Sequence, residues 1–276
     1  MTTQGLDAWI GRKESSDDNL DIGHIQKIAL SLDSPAPGHG DPLPLLWQWG
    51  LFINGLPYSE LGADGHPKRG GFLPPADDRN RMWAGGRLTF LQPLRVGVKG
   101  HKESTIVAVQ EKEGRTGKLL FVTVKHEYSQ GDALCISEEQ DIVYREPSPP
   151  KLQGNIPTPD SDWSETVEPS SIMLFRYSAV TFNGHRIHYD QPYTTGTEGY
   201  PGLVVHGPMI ATLMCRAFTR AHPDKQATSL SYRGLRPLIS PSPFNVQGAL
   251  TESGLAQLWA EQDGTLAHQA ELRFKA

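Results

Sequence analysis

From Pro147 to Trp163 the chain reads PSPPKLQGNIPTPDSDW, five prolines in seventeen residues. Each proline fixes its own φ, removes a backbone donor and biases the residue before it away from helix. No helix or central strand is expected to run through such a stretch, so the core must be built on either side of it. The predicted organisation is residues 1–147, a linker over 148–168, and residues 169–276.

Both sides show related patterns. In the first, DNLDIGHIQKIALSLD has helical spacing at Ile22, Ile25, Ile28 and Ala29, and SPAPGHGDPLP ends it. PLLWQWGLFI is apolar on every side and predicts a short buried helix. NGLPYSELGADGHPKRGGFLPPADDRNRMWAGG is too rich in turn-formers for long elements and reads as an ordered loop. From Gly86 to Tyr144, four segments rich in β-branched residues alternate in polarity, with EGRTGK as a hairpin connection.

After the break, SIMLFRYSAVTF reads as a strand and NGHRIHYDQPYTTGTEGYPG as a loop. VVHGPMIATLMCRAFTRAH reads as a helix whose broad apolar face carries Met209, Ile210, Leu213, Met214, Ala217 and Phe218. Pro208 suits its first turn, where a missing N–H costs nothing. Four strand candidates follow. A buried helix with an antiparallel sheet on each side of the break makes an α+β protein of repeated pattern, without detectable identity between the halves.

Composition removes several function classes. A net charge of −5 gives no general attraction to nucleic acid or to an acidic membrane. No apolar run approaches the ~20 residues that span a bilayer. The opening MTTQGLDAWIGRKESSDDNL lacks the features of a secretory or mitochondrial leader, so the cytoplasm is the expected compartment. Two cysteines, Cys135 and Cys215, both in apolar surroundings, read as packing thiols. There is no glycine-rich nucleotide fingerprint and no spaced ligand set, so neither a cofactor nor a metal is expected.

Polar chemistry concentrates between residues 175 and 208. FRYSAVTFNGHRIHYD places Asn183, His185, Arg186, His188 and Asp190 within eight positions, and VVHGPM sets Gly207 just ahead of the buried helix. Helix N-terminal N–H groups can donate to a thioester carbonyl, and the dipole there favours developing negative charge. A base beside such a helix end is what addition of water to a conjugated C=C requires.

These strings, YSAVTFNGHRIHYD followed by LVVHGPM, resemble the active-site segment of the MaoC-like hot-dog hydratases and dehydratases. Together with HPKRGGFLPPADDRNRMWAGG and SYRGLRPL, they are similar to the two-hot-dog branch containing hydroxyacyl-thioester dehydratase type 2 and the mesaconyl-C4-CoA and itaconyl-CoA hydratases. The resemblance implies a double hot-dog fold, two antiparallel sheets each wrapping a central helix, with hydratase residues only in the C-terminal copy. Aligned without gaps, His188 matches the family's catalytic histidine, Gly207 the oxyanion-hole glycine and Asp190 the acid two residues on. Asn183 stands where the family has a catalytic aspartate. An amide can position water but cannot take its proton, so His188 would be the sole base. His185 is expected to support the site.

The implied substrate is an acyl-CoA thioester, CoA being part of the substrate. A substrate of the itaconyl or mesaconyl type carries a free carboxylate, which calls for an arginine. Arg79, Arg81, Arg233 and Arg236 are the available ones, and Trp83 of WAGG would sit over the acyl group. Each has a plainer reading: Arg79 as partner of Asp77 and Asp78, the others as solvated strand residues, Trp83 as a packed turn. A 3-hydroxyacyl-thioester dehydratase of fatty-acid synthesis is the alternative activity. A thioesterase and a non-catalytic acyl-CoA-binding protein stand further off. A fused pair already supplies two hot-dog copies, which leaves both a monomer and a homodimer open.

Overall fold

The computed structural model describes residues 5–76, 79–114 and 117–275. Ten strands form one antiparallel sheet in the order β1-β3-β4-β5-β2-β7-β10-β9-β8-β6. The N-terminal half supplies β1 (Lys13–Asp18), β2 (Asn80–Phe90), β3 (Gly100–Gly114), β4 (Gly117–Gln130) and β5 (Ala133–Arg145). The C-terminal half supplies β6 (Trp163–Val167), β7 (Gln226–Gly234), β8 (Phe244–Glu252), β9 (Leu255–Gln262) and β10 (Thr265–Lys275). The helices are α1 (Ile22–Ser31), α2 (Ser171–Val180), α3 (Gln191–Gly196) and α4 (Gly207–Ala221).

The class is α+β as expected, but the two sheets are joined. β2 pairs with β7 from Gly85↔Arg233 to Thr89↔Ser229, which makes one surface of two half-sheets. Glycines permit the approach: a Cβ on Gly85 would meet the carbonyl oxygen of Tyr232, and one on Gly86 would meet the Glu139 carbonyl at 2.6 Å.

Among the described residues the longest helix, α4, is wrapped by the C-terminal half. Met209, Ile210, Leu213, Met214, Ala217 and Phe218 of α4 are all buried, as their spacing predicts. Each large apolar side chain of this kind contributes roughly 1.5–3 kcal/mol by leaving water. The helix expected in PLLWQWGLFI is a single 3-10 turn, Trp47–Gly50. Leu46 before it and Phe52 after it adopt left-handed φ of 69° and 53°, which helical propagation does not allow. α1, capped by the Asp21 side chain, forms where predicted and packs on α2, with Ile25, Ile28 and Ala29 in the same core as Leu88 and Ile136 of its half-sheet.

Three further expectations are corrected. SIMLFRYSAVTF is the helix α2, not a strand: Ser170 caps it by accepting from the Met173 N–H, and it buries Leu174, Tyr177 and Ser178 at helical spacing. Its exposed Ile172 and Phe175, at 68% and 61%, are what blurred the period. The expected linker over 148–168 ends in β6, an edge strand paired with β8. The expected loop before Gly86 gives way to β2 at Asn80. The tip of EGRTGK and the acids Asp77 and Asp78 lie outside the described residues; the flanking pair Gly114↔Gly117 closes the β3–β4 hairpin. Among the described residues no helix is long and apolar enough to cross a membrane.

Candidate active site

The chain leaves α2 through a left-handed turn at Phe182, φ 51°. The Asn183 Oδ1 accepts from the His185 N–H at 3.0 Å, and one 3-10 turn, Arg186–His188, follows. This sequence of turns buries Ile187 and His188 while Tyr189 stays outside.

The His188 Nδ1 lies 2.7 Å from the Val204 carbonyl oxygen. A carbonyl can only accept, so Nδ1 carries the proton and Nε2 keeps a lone pair. Burial lowers the ring's pKa to about 4, against the opposing hydrogen bond to Val204. At neutral pH the group is an uncharged imidazole able to accept a proton.

Against its face lies His206, the residue that precedes α4, with ring centroids 3.7 Å apart. The His206 Nε2 pairs with Ser178 Oγ at 2.8 Å, and its Nδ1 has no partner within the described residues. Burial holds His206 far below the ordinary histidine value. The N–H groups of Gly207 and Met209, in the first turn of α4, find no acceptor among the described residues, as the opening turn of a helix leaves them. Gly207 packs beneath Trp83, since a Cβ there would stand 3.1 Å from the indole Cε3.

A second chain segment completes the cluster. Gly65, at φ +89°, has the Gly184 carbonyl where a Cβ would sit. The Arg186 N–H donates to the Asp64 carbonyl at 2.9 Å, and its guanidinium to that of Ala63 at 3.0 Å. Docked this way, the loop delivers Asp64 and His66. The His66 ring lies 4.2 Å from His185, and His185 stands edge-on to His188 at 5.4 Å. The result is a row of imidazoles, His66–His185–His188–His206, with Asp64 at one end and Ser178 at the other. Burial depresses His66 and His185 too. Burial would raise Asp64, but the two hydrogen bonds from His66 and the positive charge that His66 and His185 can carry together outweigh it and hold the carboxyl low.

Asp64 and His66 were missed in the sequence. The available signal was GADGH, an acid two residues before a histidine in an ordered glycine-rich loop. Asp64, His66 and His185 also offer ligand atoms within 4.8 Å of one another, a cluster that spacing along the chain concealed. Both Asp64 oxygens are already engaged by His66, and Arg81 and Arg69 add positive charge beside it, so the set is poorly suited to a cation.

In front of His185 and Ile187 opens a cavity of roughly 630 Å³ lined by Lys68, Arg69, Arg79, Arg81 and Arg145. Arg79 pairs with Glu111 at 2.6 Å, and Arg69 donates to the Arg79 carbonyl. Arg81 has no acidic partner among the described residues. Lys68, Arg69 and Arg145 were not singled out from sequence, where nothing links them to Arg81.

The other expected residues fall elsewhere. Asp190 caps α3 by accepting from the Tyr193 N–H and holds Arg186 at 2.7 Å, so it braces the loop without reaching His188. The Asn183 oxygen is taken up by the turn. Arg236 binds the carbonyls of Leu152, Gln262, Thr265 and Leu266, and ties the 148–162 segment to the β9–β10 turn. Arg233 is exposed on the same side, lining with Arg236 a separate recess that contains none of the site histidines. Neither arginine faces the cluster.

The model of the hydroxyacyl-thioester dehydratase type 2 family matches residues 47–240. The chain belongs to this family. It is 45% identical over 251 residues to the mesaconyl-C(4)-CoA hydratase of Chloroflexus aurantiacus, covering 89% of each chain. It is 30% identical over 272 residues to the mitochondrial hydroxyacyl-thioester dehydratase type 2 of Schizosaccharomyces pombe, covering 87% of this chain and 86% of that one. The crystal structure of a MaoC-like dehydratase from Phytophthora capsici superposes with a TM-score of 0.74 at 14% identity, covering 100% and 99% of the two chains. HtdX of Mycobacterium tuberculosis gives 0.69 at 17%, covering 95% and 99%. These neighbours establish the hot-dog fold. The protein is a hydro-lyase, a hydratase or dehydratase of acyl-CoA thioesters.

Proposed function

We propose that this enzyme adds water to a short enoyl-CoA whose acyl group carries a free carboxylate, of the mesaconyl-C4 or itaconyl type, in the cytoplasm. The observation that carries the reading is the neutral His188, its Nδ1–H fixed on Val204 and its ring against the residue that starts α4. Nε2 takes a proton from water as the oxygen bonds to the β-carbon. The π electrons move to the thioester oxygen, where the Gly207 N–H and the helix dipole stabilise the enolate. The imidazolium then gives that proton to the α-carbon, which completes the addition and returns His188 to its neutral form. The Asn183 Nδ2 remains to orient the water, so His188 is the only base.

Arg81 supports the choice of acyl group. Its positive charge acts on His66 and His185, and it has no carboxylate of the described protein to balance it. A substrate carboxylate would supply that balance by a charge-assisted hydrogen bond. Arg69 and Lys68, farther along the same cavity, suit the phosphates of CoA. A thioesterase reading gains nothing here, since the first turn of α4 contains no acid.

The test is loss of enoyl-thioester ultraviolet absorbance over four substrates: crotonyl-CoA, a longer 2-enoyl-CoA, itaconyl-CoA and mesaconyl-C4-CoA. Highest kcat/KM for a dicarboxylic member is expected. Preference for the longer chain would replace this reading with the fatty-acyl dehydratase. Release of free thiol without any change in the enoyl band would end the hydratase assignment.

A further inference from the structure

A second cavity, of roughly 690 Å³ and mainly apolar, lies on the far side of α4 from the catalytic helix start. It shares no lining residue with the cationic one. Three elements run between the catalytic end and this cavity. α4 carries Gly207 at one end and Thr212, Cys215 and Thr219 along the cavity wall. β2 carries Trp83 against Gly207 and Phe90 on the wall; β7 carries Tyr232 and then Ala227. Thr212 lies five positions after Gly207, about 7.5 Å along the axis.

What fills the interval is aromatic. Trp49 and Trp83 meet edge to face at 4.8 Å, Trp83 and Tyr232 at 5.2 Å, and Trp49 and Tyr232 at 5.7 Å. Trp83 closes on Gly207, while Trp49 follows directly on Trp47 and Gln48, which line the second cavity. The group is braced from behind: the Trp49 Nε1 donates to both oxygens of the buried Glu138, at 2.9 and 3.1 Å.

We propose that Trp49, Trp83 and Tyr232 form the floor of the acyl site, limiting it to short acyl groups, and that the apolar cavity behind them, which these side chains separate from the acyl site, is of the size and polarity to take a longer chain. This rests on the hydratase reading above. The arrangement makes chain length a property of three side chains, because the space a long acyl tail needs is already present beyond them. Cavities of several hundred Å³ with apolar walls are of ligand size.

The experiment compares kcat/KM for 2-enoyl-CoA substrates of four and twelve acyl carbons. Trp49→Ala is made together with Glu138→Gln, so that no unpaired buried carboxylate is left, and Glu138→Gln alone serves as control. Tyr232→Ala is the independent second opening, and calorimetric binding of saturated dodecanoyl-CoA is measured alongside. The double variant is expected to raise the long-to-short ratio at least tenfold over the control, and adding Ala227→Phe, which fills the compartment, should reverse the gain. A ratio within twofold of control in a folded variant, a gain that Ala227→Phe leaves intact, or a wild type that already prefers twelve carbons overturns the floor. If the wild type hydrates neither substrate, the hydratase reading fails on its own, and the binding measurement still decides the floor: dodecanoyl-CoA affinity either rises on opening or does not.

Discussion

The imidazole of His188 lies face to face with that of His206, ring centroids 3.7 Å apart and planes 18° from parallel. His206 is the residue before the first turn of α4, so this stack fixes the proposed base relative to the helix N-terminus. Two neutral rings can lie this close; two imidazolium ions could not without strong repulsion. Burial, which lowers both pKa values, keeps the two rings neutral and so allows the stack.

Removing the base should remove the reaction. His188→Ala is expected to lower kcat by roughly a hundredfold to ten-thousandfold, the usual contribution of a positioned general base. KM should change little, because the ring does not line the cationic cavity. Steady-state kinetics with a cooperative melting curve as a control for folding checks this. Retention of wild-type turnover would end the proposed role.

Activity should persist into acid. The working form of His188 is neutral and its pKa is lowered to about 4. The acid limb of kcat/KM is therefore expected near pH 4, well below the ordinary histidine value of 6.5. A limb at 6.5 in a stable enzyme would mean that the ring is hydrated and not buried as described.

Stability should respond to acid through the same rings. His66, His185, His188 and His206 all have folded pKa values below the unfolded value of 6.5, so the unfolded chain takes up their protons first. Their stabilisation is complete above about 6.5 and is lost as pH falls towards the folded values. For His188 alone the shift amounts to about 3 kcal/mol. Denaturant unfolding should show a midpoint that these rings leave level between pH 8 and 7 and lower steadily from about pH 6.5 to 5, with a smaller slope in His188→Asn.

Arg81→Met should separate substrates. Loss of one charge-assisted hydrogen bond costs about 1.5–3 kcal/mol, roughly ten- to hundredfold in kcat/KM for a dicarboxylic enoyl-CoA. Crotonyl-CoA, which has no second carboxylate, should be affected much less. Equal losses for both would assign Arg81 to CoA.

Glu138 offers a test of opposite sign. It is buried between Trp49 and Tyr128, and burial raises its pKa to about 7. An acid with a raised folded pKa stabilises most below its unfolded value and loses that contribution as pH rises through 7. Glu138→Gln is therefore expected to be more stable than the wild type at pH 8, by about 1–3 kcal/mol. The difference should vanish below pH 5, as paired unfolding curves would show.

What the sequence determined was whatever depends on spacing. The apolar face of α4, the helix at Ile22–Ser31 and the β-rich meander could be read directly, because each lies within one local segment and follows its period, while the strings around His188 and Gly207 were legible only through their resemblance to a known family. α2 was misread because Ile172 and Phe175 are apolar yet exposed, which hides the face that packs. Tertiary structure decided everything that depends on distant segments meeting. The join of β2 to β7, the docking of Gly65 on Gly184 that brings Asp64 and His66 to His185, and the withdrawal of Arg236 into a set of carbonyls each pair residues dozens to more than a hundred positions apart. Local periodicity carries no record of such partners, since a side chain's charge and size are the same whether it ends in a cavity or in a carbonyl cage.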